Sequence, residues 1–96
     1  MRFLYKARCL ARFDRFPRSD QLLILQTDRQ IRQYYATRHA PIGLGIKRLY
    51  ASGAGKVFEA RVSRAIRILW VEHADTVSFA LIGSHNDLQH YLRSLR

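Results

Sequence analysis

The sequence predicts an α+β fold: an N-terminal strand and a helical hairpin packed on a twisted antiparallel sheet, closed by a short C-terminal helix. Three observations carry this. Apolar residues recur at helical spacing between residues 7 and 36, then switch to alternation in the second half of the chain. The turns between the later strands are short enough for antiparallel hairpins. A length of 96 residues with 48% hydrophobic content suits one domain, residues 1–96, with a small core.

Each element has its own signal. "RFLYK" is a short strand, with Phe3 and Tyr5 alternating against Leu4. In "ARCLARFDRFP" the period changes: Cys9, Phe13 and Phe16, joined by Leu10, form one stripe, and Arg8, Arg12 and Arg15 form the opposite one. Pro17 ends this helix. Ser19 is the expected N-cap of a second helix, with Asp20 in its first turn, running to about Ala36. Its expected inner face is Leu23, Ile24, Thr27, Ile31 and Tyr34, with Tyr35 beside them. Residues 37–56 hold Pro41 and the glycines at 43, 45, 53 and 55, around a short strand at 46–50. Three strands follow, at 57–62, 66–72 and 76–82. "HNDLQHYLRSLR" closes the chain as a helix with Leu88, Leu92 and Leu95 along one side. All helices are expected on one face of the sheet.

Charge narrows the partners. Lys and Arg number 17 against 7 Asp and Glu, a formal charge of +10. Self-repulsion of that size suits an anionic partner: nucleic acid, an acidic protein or a membrane surface. Cys9 is the only cysteine, so no disulfide can form within the chain, as fits a reducing compartment. The longest run without formal charge, residues 76–86, is far short of the ~18 apolar residues of a spanning helix. The charged start "MRFLYKARC" is unlike a signal peptide. A cytoplasmic protein is expected.

Several chemistries lack their motifs. "GAGK" at 53–56 is not a phosphate loop, because Tyr50 stands where the first glycine is needed and Val57 where Ser or Thr is needed. His39, His73, His85 and His90 have no metal-binding spacing. No G-x-S-x-G occurs, and Cys9 falls on an apolar stripe, as a buried structural thiol would.

The strand arginines remain. If Val62 pairs with Ile66, then Phe58, Ala60, Val62, Ile66, Ile68 and Trp70 share a core face. Glu59, Arg61 and Arg67 share the other, with Arg61 directly opposite Arg67 and Arg64 in the loop. Opposed like charges destabilise a sheet unless an anion lies between them. The arrangement reads either as a solvated face with one Glu–Arg bridge or as a phosphate site, where arginine's planar fork holds phosphate bidentately.

These residues resemble the RelE/ParE superfamily of toxin–antitoxin toxins. The resemblance covers most of the chain and is best in "KVFEARVSRAIRILWVE" and "TVSFALIGSH". Its pattern is closer to the RelE, YoeB and HigB ribonucleases than to the gyrase-directed ParE group. It implies a ribosome-dependent, metal-independent endoribonuclease with no cofactor, in which the ribose 2′-OH attacks the adjacent phosphate. It implies three partners: ribosome, mRNA and an acidic antitoxin. Arg67 matches the arginine that contacts the scissile phosphate. Arg61 and Glu59 match two inward positions that are lysines in RelE; Glu59 would be either the base or an arginine partner. His85 falls near a second catalytic arginine, where YoeB-like relatives carry histidine, and would be an acid or a base. Tyr91 falls near the family's C-terminal tyrosine, and Leu44 stands where YoeB has a glutamate. Lys47, Arg48, Lys56, Arg64, Arg8, Arg12, Arg15, Arg29 and Arg32 are the expected RNA contacts. Two other functions stay open: a ParE-like gyrase inhibitor without catalysis, and a basic RNA-binding module with a degraded active site.

Overall fold

The computed structural model describes residues 1–53 and 55–94. In order, the elements are β1 (Arg2–Tyr5), α1 (Ala7–Arg15), α2 (Arg18–Thr37), β2 (Lys47–Ser52), β3 (Gly55–Arg61), β4 (Arg67–His73), β5 (Thr76–Gly83) and α3 (His85–Ser94). The strands form one sheet in the order β1-β5-β4-β3-β2. The meander from β2 to β5 is antiparallel, as expected. β1 joins it in parallel beside β5, so the sheet is mixed. The helical hairpin carries the chain from β1 at one edge of the sheet to β2 at the other.

The predicted register holds across the centre. Arg61 pairs with Arg67, Ala60 with Ile68 and Phe58 with Trp70. The Val62 and Ser63 N–H groups both donate to the Ile66 carbonyl, closing the β3–β4 loop. On the resulting core face, Ala60, Ile66, Ile68 and Trp70 pack with Ile24, Ile31 and Cys9 of the hairpin. Trp70 is fully buried and donates its indole N–H to the Tyr35 hydroxyl at 2.8 Å, which satisfies its one donor.

Beyond the parallel β1, sequence and structure differ at four places. First, α2 starts at Arg18 with Pro17 as its N-cap, so Ser19 lies inside the first turn. Pro17 presets the entry, and its carbonyl accepts from the Gln21 N–H at 2.9 Å. Second, the inner face of α2 is Ile24, Thr27, Asp28, Ile31 and Tyr35; Leu23 is exposed. Asp28 is tolerated inside because the Tyr5 hydroxyl donates to it at 2.6 Å and Arg32 pairs with it at 2.9 Å. Third, α3 packs on the sheet face opposite the hairpin, not on the same one. Leu88 is buried there with Val57, Leu69, Ala80 and Leu81. The central strands are apolar on both faces and need cover on both. Fourth, the strand ends shift by one or two residues, and Leu95 lies outside the described residues.

A bulge makes the second core possible. Leu69 pairs with Leu81 but Trp70 pairs with Phe79, leaving Ala80 as the extra residue. Phe79 and Ile82 therefore share the hairpin face although they are three apart, while Ala80 and Leu81 face α3. Gly55 is required where β3 starts. Its φ is +131°, and a Cβ would lie 2.6 Å from the Glu72 carbonyl oxygen. No helix among the described residues is long and apolar enough to cross a membrane.

A candidate phosphate site at one end of the sheet

Two rows of side chains define the site. Directly paired residues share a face, so Arg61, Arg67 and Gly83 form one row across β3, β4 and β5. The next row on the same face is Lys47, Glu59, Leu69 and Leu81. Leu69 and Leu81 anchor α3, so the charged ends of both rows emerge beside that helix.

Glu59 is buried to 5% exposure. A buried carboxylate is costly without a cation, and Arg67 supplies one: its Nη1 is 3.6 Å from Glu59 Oε1. The two sit diagonally on adjacent strands. Arg67 is about a quarter exposed and Arg61 is exposed, so an outside group can reach both. Arg61 is also held by its backbone. Its N–H donates to the Leu44 carbonyl at 2.9 Å, which ties the end of β3 to the segment before β2. Leu44 is itself buried, an apolar strut beside the row.

His85 reaches this end through β5. Gly83 is the strand partner of Arg67, and Ser84 alone separates it from His85, the exposed first residue of α3. The Ser84 N–H donates to Asp87 Oδ2 at 2.9 Å, and the Asp87 N–H donates to Ser84 Oγ at 3.1 Å. This capping box fixes the first turn. It also holds the Asp87 carboxyl below its usual range, with the Ser84 backbone and hydroxyl as the main causes and Arg12 adding to them. Ser84 and Asp87 are site residues that the sequence reading left unassigned. Their signal, Ser-x-x-Asp directly after a strand, was present in "SHND".

The other predicted residues divide by location. Lys47 lies on the arginine face, paired with Glu59, whereas Arg48 and Lys56 pair with Phe58 and Glu72 on the opposite face. Arg64 is exposed in the β3–β4 loop, and Arg15 and Arg29 are exposed on α1 and α2. Arg32 is bound to Asp28 and Arg12 to Asp87 at 3.3 Å. Tyr91 is half-buried against the α3 core, with the Arg8 guanidinium 5.4 Å from its ring centroid. Arg8, Arg12, His90 and Tyr91 line a cleft of about 370 Å³ between α1 and α3, and none of Glu59, Arg61, Arg67 or His85 lines it. Cys9 is buried, and burial pushes its thiol up to about 11. Among the described residues, no three His, Cys, Asp or Glu side chains gather into a metal-ligating group.

The chain has the fold of known toxin structures. It superimposes on an archaeal RelE–RelB complex from Pyrococcus horikoshii OT3 with a TM-score of 0.68 at 10% identity, over 86% of this chain and 92% of that one. A YoeB/ParE toxin from Agrobacterium tumefaciens gives 0.65 at 16% identity, over 88% and 99%. A RelB–RelE antitoxin–toxin complex from Methanococcus jannaschii gives 0.63 at 14% identity, over 92% and 96%. No protein-family model matches the chain, and no curated protein matches it in sequence.

Proposed function

We propose that this chain is the toxin of a type II toxin–antitoxin system, acting in the cytoplasm as a ribosome-dependent endoribonuclease on mRNA. One observation carries the reading: two arginines sit opposite each other on a sheet face with a single buried carboxylate between them and the core, next to a helix that opens on histidine. The likeness to structures solved as toxin–antitoxin complexes supports the toxin role and an acidic protein partner for a chain of charge +10.

In this reaction the 2′-oxygen loses its proton and attacks the adjacent phosphorus. The bond to the 5′-oxygen breaks, and that oxygen takes a proton, leaving a 2′,3′-cyclic phosphate and a 5′-hydroxyl. Arg67 and Arg61 donate to the non-bridging oxygens as negative charge builds on them. Glu59 aims the Arg67 fork and keeps its charge in place. The His85 imidazole exchanges the proton at one of the two oxygens, as a group whose two ring nitrogens can both donate and accept. Lys47 adds positive potential from the adjacent strand. Tyr91, packed against the α3 core and under Arg8, orders the helix in this scheme.

The test is cleavage of a defined mRNA on programmed ribosomes, with the ends mapped. Site-specific cleavage that requires ribosomes, and that Arg67→Ala removes, supports the reading. Gyrase inhibition without any RNA cleavage would replace it with the ParE-like alternative.

A further inference from the structure

The junction between β5 and α3 is tied by three polar contacts of one residue, Asp87. Asp87 Oδ2 accepts the Ser84 N–H at 2.9 Å and meets Arg12 Nη1 of α1 at 3.3 Å. The Asp87 N–H returns to Ser84 Oγ at 3.1 Å. The carboxylate also lies over Gly83, where a Cβ would come 2.7 Å from Asp87 Oδ2 and 2.9 Å from its Cβ. Gly83 is thus the residue that lets the clasp close, and it is the strand partner of Arg67. His85 belongs to the four-residue segment that the two Ser84–Asp87 bonds close.

An ordinary N-cap needs only the Ser84 hydroxyl. Here an anion is added at the positive end of the helix and bridged to a second helix, which fixes the first turn of α3 in direction as well as in hydrogen bonding. We infer that Asp87 is a positioning residue: through Ser84, Gly83 and Arg12 it holds His85 beside the phosphate-binding arginines. It touches no substrate itself. Arg12 takes part in this clasp, which assigns it a different task from the exposed Arg15 of the same stripe. The inference rests on the proposed role of His85, so its test includes a readout that needs no cleavage.

The experiment compares the full chain with Asp87→Ala, Asp87→Asn, Arg12→Ala, His85→Ala and Leu92→Ala. Leu92 packs in the α3 core away from the clasp and serves as a control for simple helix destabilisation. Amide exchange at residues 84–88 should quicken about fivefold or more in Asp87→Ala, the scale of a lost cap, and less in Asp87→Asn, which keeps an acceptor oxygen. Inorganic phosphate should shift the Arg67 guanidinium and His85 ring resonances together in the parent, and Arg67 alone in Asp87→Ala. On ribosomes, Asp87→Ala should lower the single-turnover rate about tenfold or more at unchanged ribosome affinity, more than Leu92→Ala of equal stability. The Asp87→Ala/His85→Ala double variant should be no slower than His85→Ala.

Unchanged exchange at 84–88, joint phosphate shifts that persist in Asp87→Ala, or rate losses that multiply with His85→Ala would each overturn the inference. If the parent cleaves nothing, the ribonuclease reading falls alone. The exchange and phosphate results then decide whether Asp87 places His85.

Discussion

The Arg67 guanidinium stands 3.6 Å from the buried Glu59 carboxylate, on the diagonal between two strand pairs. In the proposed reaction that pair serves both the fold and the phosphate. Arg67 is the cation beside a carboxylate that the fold has buried, and about a quarter of its own side chain stays exposed.

Removing Arg67 should therefore cost stability as well as rate. Arg67→Ala leaves Glu59 buried without its cation. With Arg67 a quarter exposed, the loss should lie between surface and buried values, roughly 1–3 kcal/mol by urea unfolding. Adding Glu59→Gln should recover part of that stability. Cleavage should stay about 10²–10³ below the parent in both variants if Arg67 is the phosphate donor proposed above. A double variant that regains activity would show that Arg67 only serves the fold.

His85→Ala should lower the single-turnover rate by about 10²–10⁴ and remove one limb of the pH–rate profile between about pH 5 and 8. The Arg67 variant should keep the parent profile at a lower level, since arginine does not titrate there. An unchanged profile in the His85 variant would move proton transfer to Lys47 or Glu59.

Arg15 and Arg29 are exposed and lie outside the site. Arg15→Ala with Arg29→Ala should weaken ribosome binding, and more so as salt falls, while leaving the rate at saturating ribosomes unchanged. Binding measured across a salt series checks both points. Equal affinity to the parent at every salt concentration would remove these two residues from the ribosome-facing surface.

Asp87 gives the acid side of the stability profile a specific component. Its folded pKa lies below the ordinary 3.8, so its contribution is complete above that value and is lost as pH falls below it. Thermal unfolding from about pH 5 down to pH 2 should show a smaller acid loss for Asp87→Asn than for the parent. Parallel curves would mean that the clasp does not depend on charge.

Ala74 occupies a left-handed position, φ +54°, in the two-residue turn between His73 and Thr76. Glycine avoids the steric cost of that conformation, about 1–2 kcal/mol, and gives back about 0.5–1 in chain entropy. Ala74→Gly should raise stability by about 0.5 kcal/mol, measured as an upward shift in Tm, with cleavage unchanged.

Much of the fold was legible because periodicity reports burial directly. The alternation in "FEARV" and "IRILW" places Arg61 opposite Arg67 without reference to any other part of the chain, and the helical spacing of Cys9, Phe13 and Phe16 places α1. What the period could not reveal were the exceptions to it. Asp28 enters the core only because Tyr5 and Arg32, distant or a turn away, satisfy it. The Ala80 bulge turns an unbroken apolar run into two cores.

By itself the sequence determined the element order, the central strand register and the gathering of Glu59, Arg61 and Arg67 on one face. All of these follow from local spacing and from the fixed geometry of helices and strands. Only the tertiary structure decided that α3 crosses to the arginine face, that Asp87 joins it to Arg12 of α1, and that Gly83, two residues before His85, pairs with Arg67. Those contacts span up to 75 residues of chain, and no local pattern encodes the distance between groups so far apart in sequence.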